Sequence, residues 1–172
     1  MTDVVNGVNV EQMNEMVQSI EHNPILGKAT FHATTKWIAG GNVKTKIREF
    51  TLEGDEPPEL LGTNRAPNAV EAVLHALGAC LAASFVYHGA ARGITVHAMD
   101  FDIMGELDIR GYLGISDAVR PGYQNITVSC RVATDAPPDA MMQLWEQAQR
   151  VSPVLDIIRN PVPVSLMLER KA

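Results

Sequence analysis

Ala66-Pro67-Asn68-Ala69-Val70-Glu71-Ala72-Val73-Leu74-His75-Ala76-Leu77-Gly78-Ala79-Cys80-Leu81 is the stretch that decides the fold of this chain. It reads as a helix start running into an apolar segment, and the helix extends from Pro67 to Ala91. Gly93 follows at the position where a left-handed residue closes a helix. At 3.6 residues per turn, Val73, Ala76, Leu77, Ser84 and Tyr87 fall near the side of Cys80, while Glu71 and Leu74 lie opposite. Apolar residues occur all round, the mark of a centrally buried helix. Cys80 therefore has two readings. It is an inert space-filler, as buried free cysteines often are, or a nucleophile tuned by its surroundings.

Upstream of this helix, Val10 to Ile20 places Met13, Met16, Val17 and Ile20 at helical spacing, and Asn23-Pro24 stops that helix. From Gly27 to Ala39, Ala29, Phe31, Ala33, Thr35 and Trp37 alternate with Lys28, Thr30, His32, Thr34 and Lys36, which predicts a strand with one buried face. Gly40-Gly41-Asn42 predicts a hairpin, and Val43 to Leu52 a second strand whose polar face carries Lys44, Lys46 and Arg48. Glu53 to Arg65 is an acidic, Pro/Gly-rich loop.

Downstream, Ile94 to Ile109 reads as a long strand with Gly105 at a bulge or bend. Gly111 to Gly122 is turn-like, and Ile126 to Thr134 is a further strand. Pro137-Pro138-Asp139 opens an amphipathic helix with Met141, Leu144, Trp145 and Ala148 on one face. A short helix spans Val154 to Arg159, and Val164 to Leu168 predicts a terminal strand. Trp37, Tyr87 and Trp145 read as core. The order of elements is α+β without βαβ alternation.

The 172 residues suit a single domain over 1–172, with an N-terminal helical extension (1–24) and a core (27–170). Hydrophobic residues at 46% and charged residues at 20% are those of a globular protein, and the net charge of -6 without a basic cluster argues against nucleic acid as a partner. The apolar stretch from Val70 to Ala91 is interrupted by Glu71, His75, Ser84 and His88, which favours a core helix over a membrane span. No secretory signal is legible at the N-terminus, and two cysteines make no disulfide framework, so a cytoplasmic location is expected. The five histidines never fall at i, i+4 on one helix, so no metal site is expected, and no cofactor motif is present. Glu106, Asp108 and Arg110 alternate as a surface ion-pair row would.

Pro67-Asn68-Ala69-Val70-Glu71 with Leu74-His75-Ala76-Leu77-Gly78-Ala79-Cys80-Leu81 resembles the central-helix signature of the OsmC-like family, the osmotically inducible and organic hydroperoxide resistance proteins. Gly93-Ile94 and Ser152-Pro153-Val154 fall where that family has its second half. The resemblance implies an intertwined homodimer, with two central helices back to back and antiparallel sheets wrapped around them. It also implies a thiol peroxidase. The helix cysteine attacks the peroxide, an arginine favours its thiolate, a carboxylate at the helix start orients the arginine, and a second cysteine resolves the sulfenic acid.

Carried over, the resemblance makes Cys80 the nucleophile. The resolving position is Ser152, which cannot form a disulfide. The orienting position is Val70, with Glu71 one residue on and about 100° round the helix. Arg48 and Arg65 are both candidates for the cation. Cys130 lies on a strand away from the Pro-Val turn and reads as a structural residue. His75, about 140° from Cys80, reads as a capping or filling residue.

Two functions follow. One is a thiol-dependent hydroperoxide reductase using Cys80, Glu71 and Arg48 or Arg65, with an external thiol as reductant. The other is a non-catalytic protein of the same fold that holds a small hydrophobic ligand in the dimer cleft.

Overall fold

The computed structural model describes residues 3–170. A small hairpin, β1 (Val4–Val5) and β2 (Val8–Asn9), leads into α1 (Val10–His22) and a 3-10 turn at Pro24–Gly27. An antiparallel sheet follows, in the order β3 (Ala33–Ala39), β4 (Asn42–Ile47), β5 (Phe50–Gly54). After the central helix α2 (Ala69–Ala90) come β6 (Val96–Glu106), the one-turn α3 (Ile109–Tyr112) and β7 (Asn125–Thr134). β6 and β7 form an antiparallel pair, and α4 (Pro138–Val151) and α5 (Pro153–Arg159) complete the chain's regular structure. The architecture is α+β, as the element order predicts.

Several boundaries differ from the sequence reading, each for a local reason. The second strand does not run unbroken from Val43 to Leu52. Arg48 adopts a left-handed backbone (φ 54°) and the chain reverses there, so Ile47 pairs with Phe50 and a third strand forms. Gly105 sits in regular register opposite Ile126; the irregularity in this pair lies between Val96 and Ala98. The first long strand starts only at Ala33, where pairing with Ile47 begins; Pro24–Gly27 form a 3-10 turn and residues 28–32 make no ladder pairs. Val164 to Leu168 forms no strand, having no neighbour to pair with, and Leu166, Met167 and Leu168 are exposed. Asp108 caps α3 and forks onto Arg110, so those two form a local turn clasp in place of a strand row.

Packing centres on α2. By length and composition this helix could cross a membrane (22 residues, mean hydropathy 1.8 over its apolar window), but β6, α4 and α5 pack along it. Leu77 and Leu81 meet Leu155 of α5 with Ile103, Ile126 and Val128 of the sheet. One and two turns further on, Phe85 and Gly89 meet Leu144 of α4, where Leu144 and Ala148 are fully buried. Trp145 joins the two clusters, its ring tilted against Phe101 and Phe85 with centroids 6.2 and 6.5 Å apart. Each such fully buried Leu or Phe stabilises the fold by about 1.5–3 kcal/mol.

The β3–β5 sheet is different. Register places Trp37, Val43, Thr45, Ile47, Phe50 and Leu52 on one face. Trp37 is nevertheless 72% exposed, and Phe50 and Leu52 are also open. Tyr87 on α2 is likewise exposed. Trp37 and Tyr87, expected in the core, lie on faces that no layer of the same chain covers.

Candidate functional site

The site is built at the start and in the middle of α2. At its start, Asn68 forms a reciprocal cap. Its side chain accepts from the Glu71 amide at 2.9 Å, and Glu71 Oε2 accepts from the Asn68 amide at 2.8 Å. Two orphan donors of the helix are thereby satisfied. The loop before the cap is clamped by Asp55, which is buried and accepts from the amides of Glu56, Thr63 and Arg65 and from the Thr63 hydroxyl at 2.5 Å. The Thr63 hydrogen bond, with those backbone donors, holds the Asp55 carboxyl below its ordinary value against the opposing effect of burial.

Three turns into α2, Cys80 meets the junction between α4 and α5. Ser152 donates its hydroxyl hydrogen to Cys80 Sγ at 3.2 Å, across 72 residues of chain. Ser152 is 1% exposed, and its Oγ also accepts from the Leu155 amide at 3.4 Å as the cap of α5. The sequence dictates this geometry locally. A residue before proline is pushed to extended backbone, and Ser152 (φ -73°, ψ 112°) ends α4 at Val151 while Pro153 opens α5. The hydroxyl is thus fixed from both sides, with donor and acceptor both used. It cannot close a disulfide.

The other sequence-named residues lie elsewhere in the chain. Glu71 is committed to the helix cap. Arg48 stands exposed at the β4–β5 turn with its guanidinium over the Phe50 ring, 5.1 Å from the centroid. Arg65 is exposed, and its amide serves the Asp55 clamp. Among the described residues, neither guanidinium is hydrogen-bonded or ion-paired to another group within this chain. Cys130 pairs with Phe101 across the β6–β7 ladder, and burial, with Asp100 nearby, pushes its thiol up. Cys80 and Cys130 are both free. His75 is exposed, and among the described residues no cluster of His, Cys, Asp and Glu could hold a metal.

Comparison with known proteins bears on this arrangement. A family model described as OsmC-like protein matches residues 62–167, more than half the chain, and spans α2, Cys80 and Ser152. The chain belongs to the OsmC-like family. Its fold is similar to that of an OsmC-like protein from Mycoplasma pneumoniae, at 13% identity and TM-score 0.68, covering 78% of this chain and 90% of the other. It is also similar to an organic hydroperoxide resistance protein from Legionella pneumophila, at 16% identity and TM-score 0.58, covering 76% and 90%. The organic hydroperoxide resistance protein OhrB of Bacillus subtilis matches at 16% identity and TM-score 0.52, covering 82% and 98%. No curated protein matches the chain.

Within this OsmC-like protein, sequence reasoning missed the structural employment of Glu71 and the Asp55 clamp. The first had a signal, since Asn68 and Glu71 stand at capping-box spacing immediately before an apolar run. The second had none, because all the Asp55 partners but the adjacent Glu56 amide come from eight to ten residues away in a loop without periodicity.

Proposed function

We propose that this OsmC-like protein is a thiol-dependent hydroperoxide reductase acting as a homodimer, with Cys80 as its nucleophile. The observation that carries this reading is the buried Ser152 hydroxyl aimed at Cys80 Sγ at 3.2 Å. A core filler needs no such donor, whereas a sulfur that cycles through an anion gains from one. The thiolate attacks the terminal oxygen of a hydroperoxide; the O–O bond breaks and the alkoxide takes a proton to leave as the alcohol. Cys80 is then a sulfenic acid, oxidised by two electrons. An external thiol displaces water from it to form a mixed disulfide. A second external thiol attacks the external sulfur of the mixed disulfide, forming the external disulfide and freeing Cys80 as its thiolate. Ser152 protects and orients the sulfur and takes no part in the disulfide exchange.

The homodimer reading is supported by the open apolar face of the β3–β5 sheet and by exposed Tyr87 on α2, since contiguous exposed apolar surface marks an interaction site. In such a dimer, Arg48 and Arg65 would reach the thiol across the subunit interface, and Glu71 would act only by holding the helix start. The whole of residues 1–172 forms one domain in this reading, with 1–24 an extension. Sedimentation is expected to give twice the 18.7 kDa chain mass.

The decisive experiment follows organic hydroperoxide loss with a dithiol as reductant, comparing the parent with Cys80→Ser. Turnover by the parent and none by the variant is expected. Equal, slow consumption by both would sink the peroxidase reading. The absence of a charged partner to Cys80 within one chain favours the second reading, a non-catalytic protein binding a small hydrophobic ligand. A sulfenate trapped rapidly on Cys80 would count against it.

A further inference from the structure

A cavity of about 630 Å³ opens between α2, β7, α4 and α5, within the roughly 300–1,000 Å³ of small-molecule sites. Its inner wall is apolar: Leu77 and Leu81 of α2, Val128 of β7, Trp145 of α4, and Leu155 and Ile158 of α5. Its rim is polar and carries two cations, Arg120 from the turn before β7 and Arg159 from the last turn of α5. Both arginines are exposed, and among the described residues neither side chain has an ion-pair or hydrogen-bond partner. Tyr123 stands at the same rim. Burial and the charge of Glu71 push its phenol up, so it stays protonated and able to donate. Cys80 does not line this space.

The chemistry of a ligand follows from this division. An apolar floor accepts an aliphatic or aromatic tail, and each buried methylene contributes about 0.8 kcal/mol. Two guanidinium groups at the mouth match a carboxylate, to which arginine donates in a planar fork. Glu71, the carboxylate whose charge reaches Tyr123, is turned to the Asn68 amide and capped. We infer that this cavity binds a medium-chain carboxylate, tail inward against Trp145 and head group between Arg120 and Arg159. The inference is separate from the peroxidase reading, because it is tested by binding alone.

The chain holds two tryptophans, so Trp37→Phe leaves Trp145, on the cavity wall, as the sole indole. In that background we expect decanoate to shift Trp145 emission saturably, and decyltrimethylammonium not to. Arg120→Gln with Arg159→Gln should weaken decanoate at least about tenfold, since a hydrogen bond to a charged group contributes about 1.5–3 kcal/mol. Decanol binding should change by less than about twofold, having no charge to lose. Val128→Phe should crowd the tail beside Trp145 and weaken both signals; if it fails to fold, the arginine pair decides. No saturable change with decanoate, equal binding of the ammonium surfactant, or decanoate affinity indifferent to both arginines would each overturn the inference.

Discussion

Replacing Ser152 by cysteine tests the Cys80–Ser152 geometry more sharply than any deletion. The hydroxyl oxygen already lies 3.2 Å from Cys80 Sγ, and a sulfur there is larger and on a longer bond, directed at the same atom. A disulfide needs an S–S distance of about 2.05 Å, which requires a short closing movement at the α4–α5 junction. Once that movement is made, the bridge closes a loop of 72 residues, for which chain entropy gives about 4.4 kcal/mol at 25 °C. Against this, cysteine forfeits the Ser152 cap of the Leu155 amide, worth about 1 kcal/mol. The reduced variant should therefore unfold about 1 kcal/mol more easily than the parent, and the oxidised variant about 3 kcal/mol less easily. Urea unfolding with and without reductant reads both differences. Thiol titration reads the bridge itself: three free thiols reduced, and Cys130 alone after one equivalent of hydroperoxide. Three thiols surviving that treatment, or a bridge that involves Cys130, would refute the reasoning.

Three further outcomes follow from the same geometry. Ser152→Ala removes the one hydrogen bond that Cys80 Sγ has among the described residues, and alkylation of Cys80 at neutral pH should slow about tenfold, the effect of one lost bond to a charged group. Mass spectrometry of the Cys80 peptide separates this from Cys130. Asp55 has a depressed carboxyl, so its contribution to stability is present above about pH 4 and is lost as pH falls through its lower folded value. Asp55→Asn should flatten the acid limb of urea midpoints measured against pH and speed exchange of the Glu56, Thr63 and Arg65 amides. A side chain at Gly62 would overlap the backbone carbonyl of Glu56, so Gly62→Ala should cost about 1–3 kcal/mol. The cost should be largely relieved in Asp55→Asn, where the clamp is already loose, and a double-mutant cycle measures it.

Legibility in the sequence followed locality. The α2 limits, the Gly93 terminus, the Pro137-Pro138 start of α4 and the Pro153 start of α5 were readable because capping and proline act over one turn. Ser152 was readable as the residue opposite Cys80 because the Val-Ser-Pro-Val order survives in a recognisable place. The turn at Arg48-Glu49 was not, since a left-handed arginine carries no compositional mark and the alternation of Val43, Thr45 and Ile47 continues smoothly into it. Trp37 and Tyr87 misled for a deeper reason. Their spacing reports that a face is apolar, and it says nothing about which chain covers it.

That distinction bears on how this site departs from the pattern it resembles. A position 152 with no partner would accept any small residue. Ser152 instead is buried to 1% and spends its hydrogen on Cys80 Sγ and its lone pair on Leu155 N. An alanine would pack in the same space without a polar group to satisfy, and burying a hydroxyl without partners costs about 1–3 kcal/mol. The serine is thus tolerable only because the sulfur and the α5 cap both engage it. Its hydrogen bonds join Cys80 Sγ to the Leu155 amide at the start of α5, and Leu155 lines the arginine-rimmed cavity. Oxidation at Cys80 would replace an acceptor sulfur by a group with an added oxygen at this junction. A ligand in the cavity would press on Leu155 from the other side. Hydrogen exchange of the Leu155 amide is the common readout, expected to change on Cys80 oxidation and on decanoate binding. If it moves with neither, the junction is a rigid plug and the two sites are independent.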